Sequence, residues 1–138
     1  MRYLGLDLGT KTLGMATSDK NGIIASGYKT IIFTEHNYDE LLPQLKEIMN
    51  TEKIDKFVLG FPKNMNNTIG ERAIKTLEFK ERLELYLNIE IILEDERWTT
   101  MQANRILINA DMSRKKRKHV VDKLAAVFIL QGYLDRKK

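Results

Sequence analysis

The chain has 138 residues, a hydrophobic fraction of 43% and a charged fraction of 30%, as is typical of soluble globular proteins. Cysteine is absent, which excludes disulfides, thiolate metal sites and cysteine nucleophiles. No apolar run approaches the roughly 20 residues that a membrane-crossing helix needs, and the first residues read as a strand instead of a secretion signal. We therefore expect a single domain over residues 1–138, located in the cytoplasm.

The basic character of the chain is concentrated in one short run. The formal net charge is +4, and five consecutive residues contribute +5 to it. The rest of the chain therefore carries −1. These residues are Arg114, Lys115, Lys116, Arg117 and Lys118. A local patch of this kind is what binding to a phosphate backbone requires, and a solvated loop is the alternative.

The first third of the chain predicts three antiparallel strands. Runs rich in β-branched and aromatic residues place them at Tyr3–Leu8, Leu13–Ser18 and Ile23–Phe33. The pair Asn21 and Gly22 predicts a tight turn between the last two strands. A three-stranded meander is the natural result.

From Tyr38 onward the pattern alternates between helices and strands. Pro43 suits a first turn, so the first helix is expected to begin near Glu40 or Leu42. The later elements are expected at Lys56–Gly60 (strand), Glu71–Leu87 (helix), Ile89–Leu93 (strand), Thr99–Ala110 (helix) and Val120–Leu134 (helix), with the basic run as a loop before the last helix. This order predicts an α/β fold with a mixed five-stranded sheet, antiparallel at first and then parallel, flanked by helices.

The first predicted strand carries one carboxylate inside an apolar run. Alternation places Tyr3, Gly5, Asp7 and Gly9 on one face and the leucines on the other. Isolated carboxylates rarely lie inside a strand unless they are paired or hold a cation. Asp7 is therefore a candidate metal ligand, with a solvent-facing acid at a strand end as the alternative.

Three acidic residues lie where such a fold brings side chains together. They are Asp7, Glu96 at the end of the last strand, and Asp122 in the first turn of the last helix. Ligands of α/β sheets usually bind at the ends of parallel strands, and Ala125 and Ala126 would let the last helix approach the sheet closely. Clustered carboxylates favour Mg²⁺ or Mn²⁺, and two such ions can drive phosphodiester hydrolysis.

A structural role stays open for each of these acids. Asp122 would also be favoured by the helix dipole alone, and Glu96 would pair equally well with Arg97. Alternation does not decide whether Asp95 or Glu96 faces the site. His36 is expected to be a solvated residue ahead of a surface helix.

Four motifs together resemble those of the YqgF family, also called RuvX, whose members are described as Holliday junction resolvases. They occur in the family's order and are Leu6–Lys11, Leu59–Pro62, Asp95–Thr100 and Asp122–Ala126. The resemblance implies a ribonuclease H-like fold and a metal-dependent nuclease with the acids Asp7, Glu96 and Asp122. It also implies processing of the 5′ end of the 16S ribosomal RNA precursor, or resolution of four-way DNA junctions.

The leading hypothesis is a two-metal endonuclease acting on structured RNA, most of all precursor ribosomal RNA. Lys11, Arg97 and the basic run would hold the nucleic-acid backbone, with Lys63 and Asn64 as weaker candidates. A DNA junction resolvase is the nearest alternative, and it would need to be dimeric to make two symmetric cuts. Two further classes are a non-catalytic RNA-binding assembly factor and a nucleotide-binding protein related to actin and the sugar kinases.

Overall fold

The computed structural model describes residues 1–62, 70–95 and 114–137, and in the last range it describes side chains from Leu124 onward. The strands are β1 (Tyr3–Leu8), β2 (Thr12–Ser18), β3 (Ala25–Ile32), β4 (Lys56–Phe61) and β5 (Ile91–Asp95). The helices are α1 (Leu41–Thr51), α2 (Glu71–Leu87) and α3 (Arg114–Arg136), and a 3-10 turn at Tyr38–Glu40 precedes α1. The helix predicted at Thr99–Ala110 lies outside the described residues.

The five strands form one mixed sheet in the order β3-β2-β1-β4-β5. β1 pairs antiparallel with β2, and β2 pairs antiparallel with β3, which confirms the predicted meander. β1 also pairs in parallel with β4, and β4 pairs in parallel with β5. The predicted α/β architecture is therefore confirmed, and β1 lies at the centre of the sheet, where the antiparallel and parallel halves meet.

The two faces of the sheet bury different cores, as alternation along β1 predicted. Leu4, Leu6 and Leu8 belong to the larger core, which includes buried residues of α1 and α2. Tyr3 belongs to a second core that includes buried residues of α3. Asp7 follows Tyr3 and Gly5 by alternation, so its side chain belongs to the face of the sheet that α3 covers.

Helix α3 packs very close to β1, and it runs antiparallel to that strand. The rings of Tyr3 and Tyr133 have centroids 5.7 Å apart, while further along both elements Gly5 meets Leu130 and Ala126. A Cβ atom on Gly5 would lie 2.7 Å from the Leu130 Cβ and 3.1 Å from the Ala126 carbonyl oxygen. The lack of a side chain at Gly5 is what allows this approach.

Strand β5 begins two residues later than predicted and extends into the acidic cluster. Helix α2 ends at Leu87 as predicted, and Asn88 then adopts a left-handed conformation with φ of 56°. The backbone N–H of Ile91 donates to a Glu84 carboxylate oxygen at 2.9 Å, which fixes the start of the strand. The prediction of Ile89–Leu93 was therefore wrong at both ends, because the turn after α2 takes up Ile89.

The predicted basic loop was also wrong, because the backbone of the basic run is helical. Helix α3 begins at Arg114 and not near Val120. Arg and Lys are good helix formers, and no Gly or Pro interrupts the segment before Gly132, so the helix extends through the run despite its unfavourable charge at a helix N-terminus. Within the described part of the chain, no helix is both long and apolar enough to span a membrane.

Candidate active site

Asp7 lies near the C-terminal end of the central strand β1 and is only 7% exposed. The chain then turns sharply, and the backbone N–H of Gly9 donates to the Thr12 carbonyl at 2.8 Å as β2 begins. A carboxylate with so little contact with water needs a compensating charge or hydrogen bonds. The end of a parallel strand pair is also where α/β sheets bind ligands, so Asp7 is the natural starting point for a site.

Arg72 from the first turn of α2 compensates part of this charge. Its guanidinium lies 3.4 Å from the Asp7 Oδ1 atom and donates a shorter hydrogen bond of 2.9 Å to the Leu8 carbonyl. The sequence analysis missed Arg72. The only signal was a cation in the first turn of a predicted helix, where the helix dipole disfavours positive charge.

The parallel strands bring a row of residues level with Asp7. Leu6 is level with Leu59 of β4, which is level with Leu93 of β5. One residue further along each strand, Gly60 of β4 pairs with Glu94 of β5, at the level that Asp7 occupies in β1. Because Gly60 has no side chain, the α3-facing side of the sheet carries no side chain from β4 at this level.

Alternation along β5 assigns the acids at its end to different faces. Ile91 and Leu93 pack with the larger core, whereas Ile92 packs with the α3 core. Glu94 shares the face of Ile92 and forms an ion pair with Arg136 of α3. Asp95 follows on the opposite face, together with Ile91 and Leu93, and thus on the side of the sheet away from Asp7.

The environment of Glu94 differs from that of a surface acid. Burial raises the pKa of the Glu94 carboxyl, and the attraction of Arg136 only partly offsets this effect. The ion pair directs Glu94 toward the C-terminal end of α3. The ion pair of Glu94 with Arg136 therefore links β5 to α3.

The structure describes only some of the remaining predicted site residues. Glu96 and Arg97 lie outside the described residues, as do Lys63 and Asn64. Lys11 is exposed in the turn that follows Asp7. Asp122 and the basic run are helical in backbone, and the structure describes none of their side chains. The grouping of Asp7 with Glu96 and Asp122 stays a prediction, and the described side chains alone contain no cluster of three metal-ligating groups.

A central strand carrying an acid, in a sheet of order β3-β2-β1-β4-β5 with helices on both faces, defines the ribonuclease H-like fold. The structure of RuvC from Thermus thermophilus superposes on 99% of this chain and 96% of its own, with a TM-score of 0.57 and 12% identity. A second structure of that protein, in complex with a Holliday junction substrate, gives the same TM-score of 0.57. These matches establish the fold.

The sequence comparisons establish the family. Residues 1–136 match the RuvX family, described as Holliday junction resolvase. A protein of Bacillus subtilis (strain 168) is 56% identical over 98% of both chains, and one of Geobacillus sp. (strain WCH70) is 54% identical over 100% of both. Both carry the name "Putative pre-16S rRNA nuclease". The chain belongs to the RuvX family.

Proposed function

We infer that this chain is one ribonuclease H-like domain over residues 1–138 that acts as a metal-dependent endonuclease on structured nucleic acid. The observation that carries the inference is the nearly buried carboxylate of Asp7 at the end of β1, in a chain of the RuvX family. We assign the substrate as the 5′ region of precursor 16S ribosomal RNA. The names of the two bacterial relatives support this assignment.

The proposed metal ligands are Asp7, Glu96 and Asp122, holding two Mg²⁺ or Mn²⁺ ions. Carboxylate oxygens are the hard ligands that such ions prefer, and the burial of Asp7 calls for positive charge beside it. Bound divalent ions supply an activated water and stabilise the leaving oxygen in phosphodiester hydrolysis. The residues present therefore fit the ions.

The path of α3 supports Asp122 as a ligand. Tyr133 lies beside Tyr3, and Ala126 lies beside Gly5, so the helix advances toward the end of β1 as its residue numbers fall. One further helical turn, about 6 Å, leads from Ala126 to position 122. Two further strand residues, about 7 Å, lead from Gly5 to Asp7. The two acids thus belong to matching positions on facing elements.

The alternation along β5 supports Glu96 over Asp95. Asp95 shares the face of Leu93, which packs on the larger core away from Asp7. A strand continued by one residue would return Glu96 to the face of Glu94 and Asp7. The family resemblance names the same residue.

The cationic residues of the chain would hold the phosphate backbone. Arg72 lies against Asp7, and Lys11 is exposed in the adjoining turn, so both are close to a phosphodiester bound there. Arg97 and the basic run Arg114–Lys118 complete the proposed contacts. Contacts of this kind fix the register of a nucleic acid without reading its sequence, which leaves selection to shape.

Resolution of four-way DNA junctions is the second candidate function. The family description and the junction-bound RuvC structure, which shares the fold, favour it. Both candidates use the same acids, so they differ in substrate and in the need for a dimer. An RNA-binding assembly factor without catalytic activity is the candidate of another class.

The decisive experiment compares a 5′-extended 16S precursor with a four-way DNA junction, each incubated with Mn²⁺ and either wild-type protein or Asp7→Asn. We expect the wild type to cut the RNA and Asp7→Asn to be slower by at least about 100-fold, since metal-assisted stabilisation is worth several kcal/mol. Equal melting temperatures of the two proteins are the control for folding. Cleavage of the junction alone would favour the resolvase, and full activity of Asp7→Asn would refute the site.

A further inference from the structure

A cavity of about 400 Å³ lies at the start of α2 and includes Arg72, the residue that contacts Asp7. Six residues from the turn after β1, the segment after β3 and the start of α2 line it: Thr10, His36, Tyr38, Glu71, Arg72 and Lys75. Arg72 lines this cavity and also contacts Asp7, so this one side chain connects the cavity with the proposed catalytic carboxylate. Its volume lies within the roughly 300–1,000 Å³ of sites that hold small organic groups.

The aromatic wall of the cavity is held in place by the core. The rings of His36 and Tyr38 meet edge to face, with centroids 6.3 Å apart. Tyr38 packs in turn against Phe33 at 5.7 Å and Phe79 at 6.1 Å, both of which are buried. The backbone N–H of His36 also donates to the Thr10 carbonyl at 2.8 Å. These contacts fix the rings relative to the turn that follows Asp7.

The opposite wall of the cavity carries two cations. Arg72 and Lys75 are three residues apart on α2 and therefore lie on the same side of the helix. Glu71 is the acidic member of the lining. Burial raises the pKa of the Tyr38 phenol, so that this hydroxyl stays neutral and able to form hydrogen bonds. The cavity thus joins a cationic wall to a neutral aromatic wall.

This combination matches the chemistry of a nucleotide. Arginine and lysine bind phosphate oxygens, whereas tyrosine and histidine rings stack against bases. A base inside a duplex presents no free face, so only an unpaired nucleotide can enter a cavity of this kind.

We propose that the cavity is a single-nucleotide subsite, in which Arg72 and Lys75 bind the phosphate and His36 and Tyr38 bind the base of one unpaired nucleotide. The inference rests on the proposed nuclease function and deepens it. The substrate must present an unpaired nucleotide next to the phosphodiester that lies at Asp7. Paired RNA of the same length and charge is bound only through its backbone.

The test measures binding by fluorescence anisotropy in EDTA, so that no cleavage takes place. Two RNA duplexes are compared that are identical except for one unpaired nucleotide in the middle of one strand. We expect the wild type to bind the bulged RNA at least about 5-fold more tightly, since stacking of one base contributes that much or more. His36→Asn and Lys75→Gln should each remove most of this preference.

The variants are chosen to leave the fold intact. His36 has φ of 61°, and asparagine tolerates this left-handed conformation better than alanine does. Lys75→Gln removes a charge from an α2 side chain without shortening it much. Lys20→Gln, an exposed lysine at the opposite end of the sheet, is the charge-matched control and should keep the full preference for the bulged RNA.

Three results would overturn the subsite. They are equal wild-type affinity for both RNAs, equal loss of affinity for both RNAs in the two variants, and binding of free adenosine 5′-monophosphate as tight as that of the bulged RNA. The nuclease proposal is judged separately by cleavage with Mn²⁺. Cleavage without a bulge preference would refute the subsite alone, and a bulge preference without cleavage would refute the nuclease alone.

Discussion

Asp7 is an acid that the fold keeps almost entirely out of water, and Arg72 is the described cation that lies against it. The sequence singled out Asp7 because a lone carboxylate interrupts an apolar run. It could not single out Arg72, which is 65 residues away along the chain. Contacts over such separations depend on how α2 is placed against the end of β1, and local patterns do not contain that information.

The contact between Arg72 and Asp7 predicts opposite effects on metal and on RNA. Arg72→Gln removes a positive charge that competes with a divalent cation at Asp7, so Mn²⁺ should bind about 2- to 5-fold more tightly. The same change removes a proposed phosphate contact, so RNA should bind more weakly. Calorimetry with Mn²⁺ and anisotropy with RNA in EDTA measure the two effects. A decrease in both affinities would show that Arg72 supports the metal site.

The acids at the end of β5 show a second limit of what the sequence predicts about single residues. The sequence analysis could not choose between Asp95 and Glu96, because the chain after Leu93 was expected to be irregular and alternation holds only within a strand. Glu84 and the left-handed Asn88 set the true start of β5 at Ile91. Because β5 extends through Asp95, alternation assigns Asp95 to the face away from Asp7.

At the scale of elements, the contact between β1 and α3 determines where the last helix lies. The two alanines at Ala125 and Ala126 predicted a close approach, and both are fully buried. Gly5 is the other half of this contact, and its importance was not apparent from the sequence. The helix carries Asp122, so a change at Gly5 would act on the proposed metal site through the fold.

Gly5→Ala tests this contact. The added Cβ would lie 2.7 Å from the Leu130 Cβ, so the helix must shift. We expect a loss of about 1–3 kcal/mol in the free energy of unfolding, measured in urea, together with slower cleavage. Gly27→Ala on the exposed outer strand β3 is the matched control. A Gly5→Ala protein as stable as this control would contradict the packing described for α3.

The basic run belongs to α3 and not to a loop, which gives its backbone a defined path. Replacing Lys115, Lys116 and Arg117 by Ala should weaken RNA binding and reduce the slope of log affinity against log salt by about 2 to 3. The slope is measured by anisotropy between low and moderate salt. Alanine at three exposed lysines elsewhere (Lys20, Lys29 and Lys46) provides the control. Equal slopes in wild type and the Lys115, Lys116 and Arg117 variant would show that the run does not contact RNA and is only a solvated part of the helix.

At the scale of the whole molecule, the order of the described elements and the pairing of their strands followed from the sequence. Hydrophobic period and turn residues identified β1 to β4, α1 and α2 closely, because each has a distinct local pattern. The start of α3 was misjudged, since a charge run was interpreted as a loop although its residues favour helix. The cavity at the start of α2 was not foreseen, because three separate segments form it.

The central claim is that Asp7, Glu96 and Asp122 form one divalent metal site, and titration calorimetry with Mn²⁺ tests it most directly. Wild type should bind Mn²⁺, and Asp7→Asn and Asp122→Asn should each bind it at least about 10-fold more weakly. Mutation of residues that only support a metal ligand already lowers metal affinity by about this factor, so the loss of a ligand should lower it at least as much. Asp95→Asn, on the opposite face of the sheet, should bind as the wild type does. Unchanged Mn²⁺ affinity in Asp7→Asn or Asp122→Asn would contradict the account.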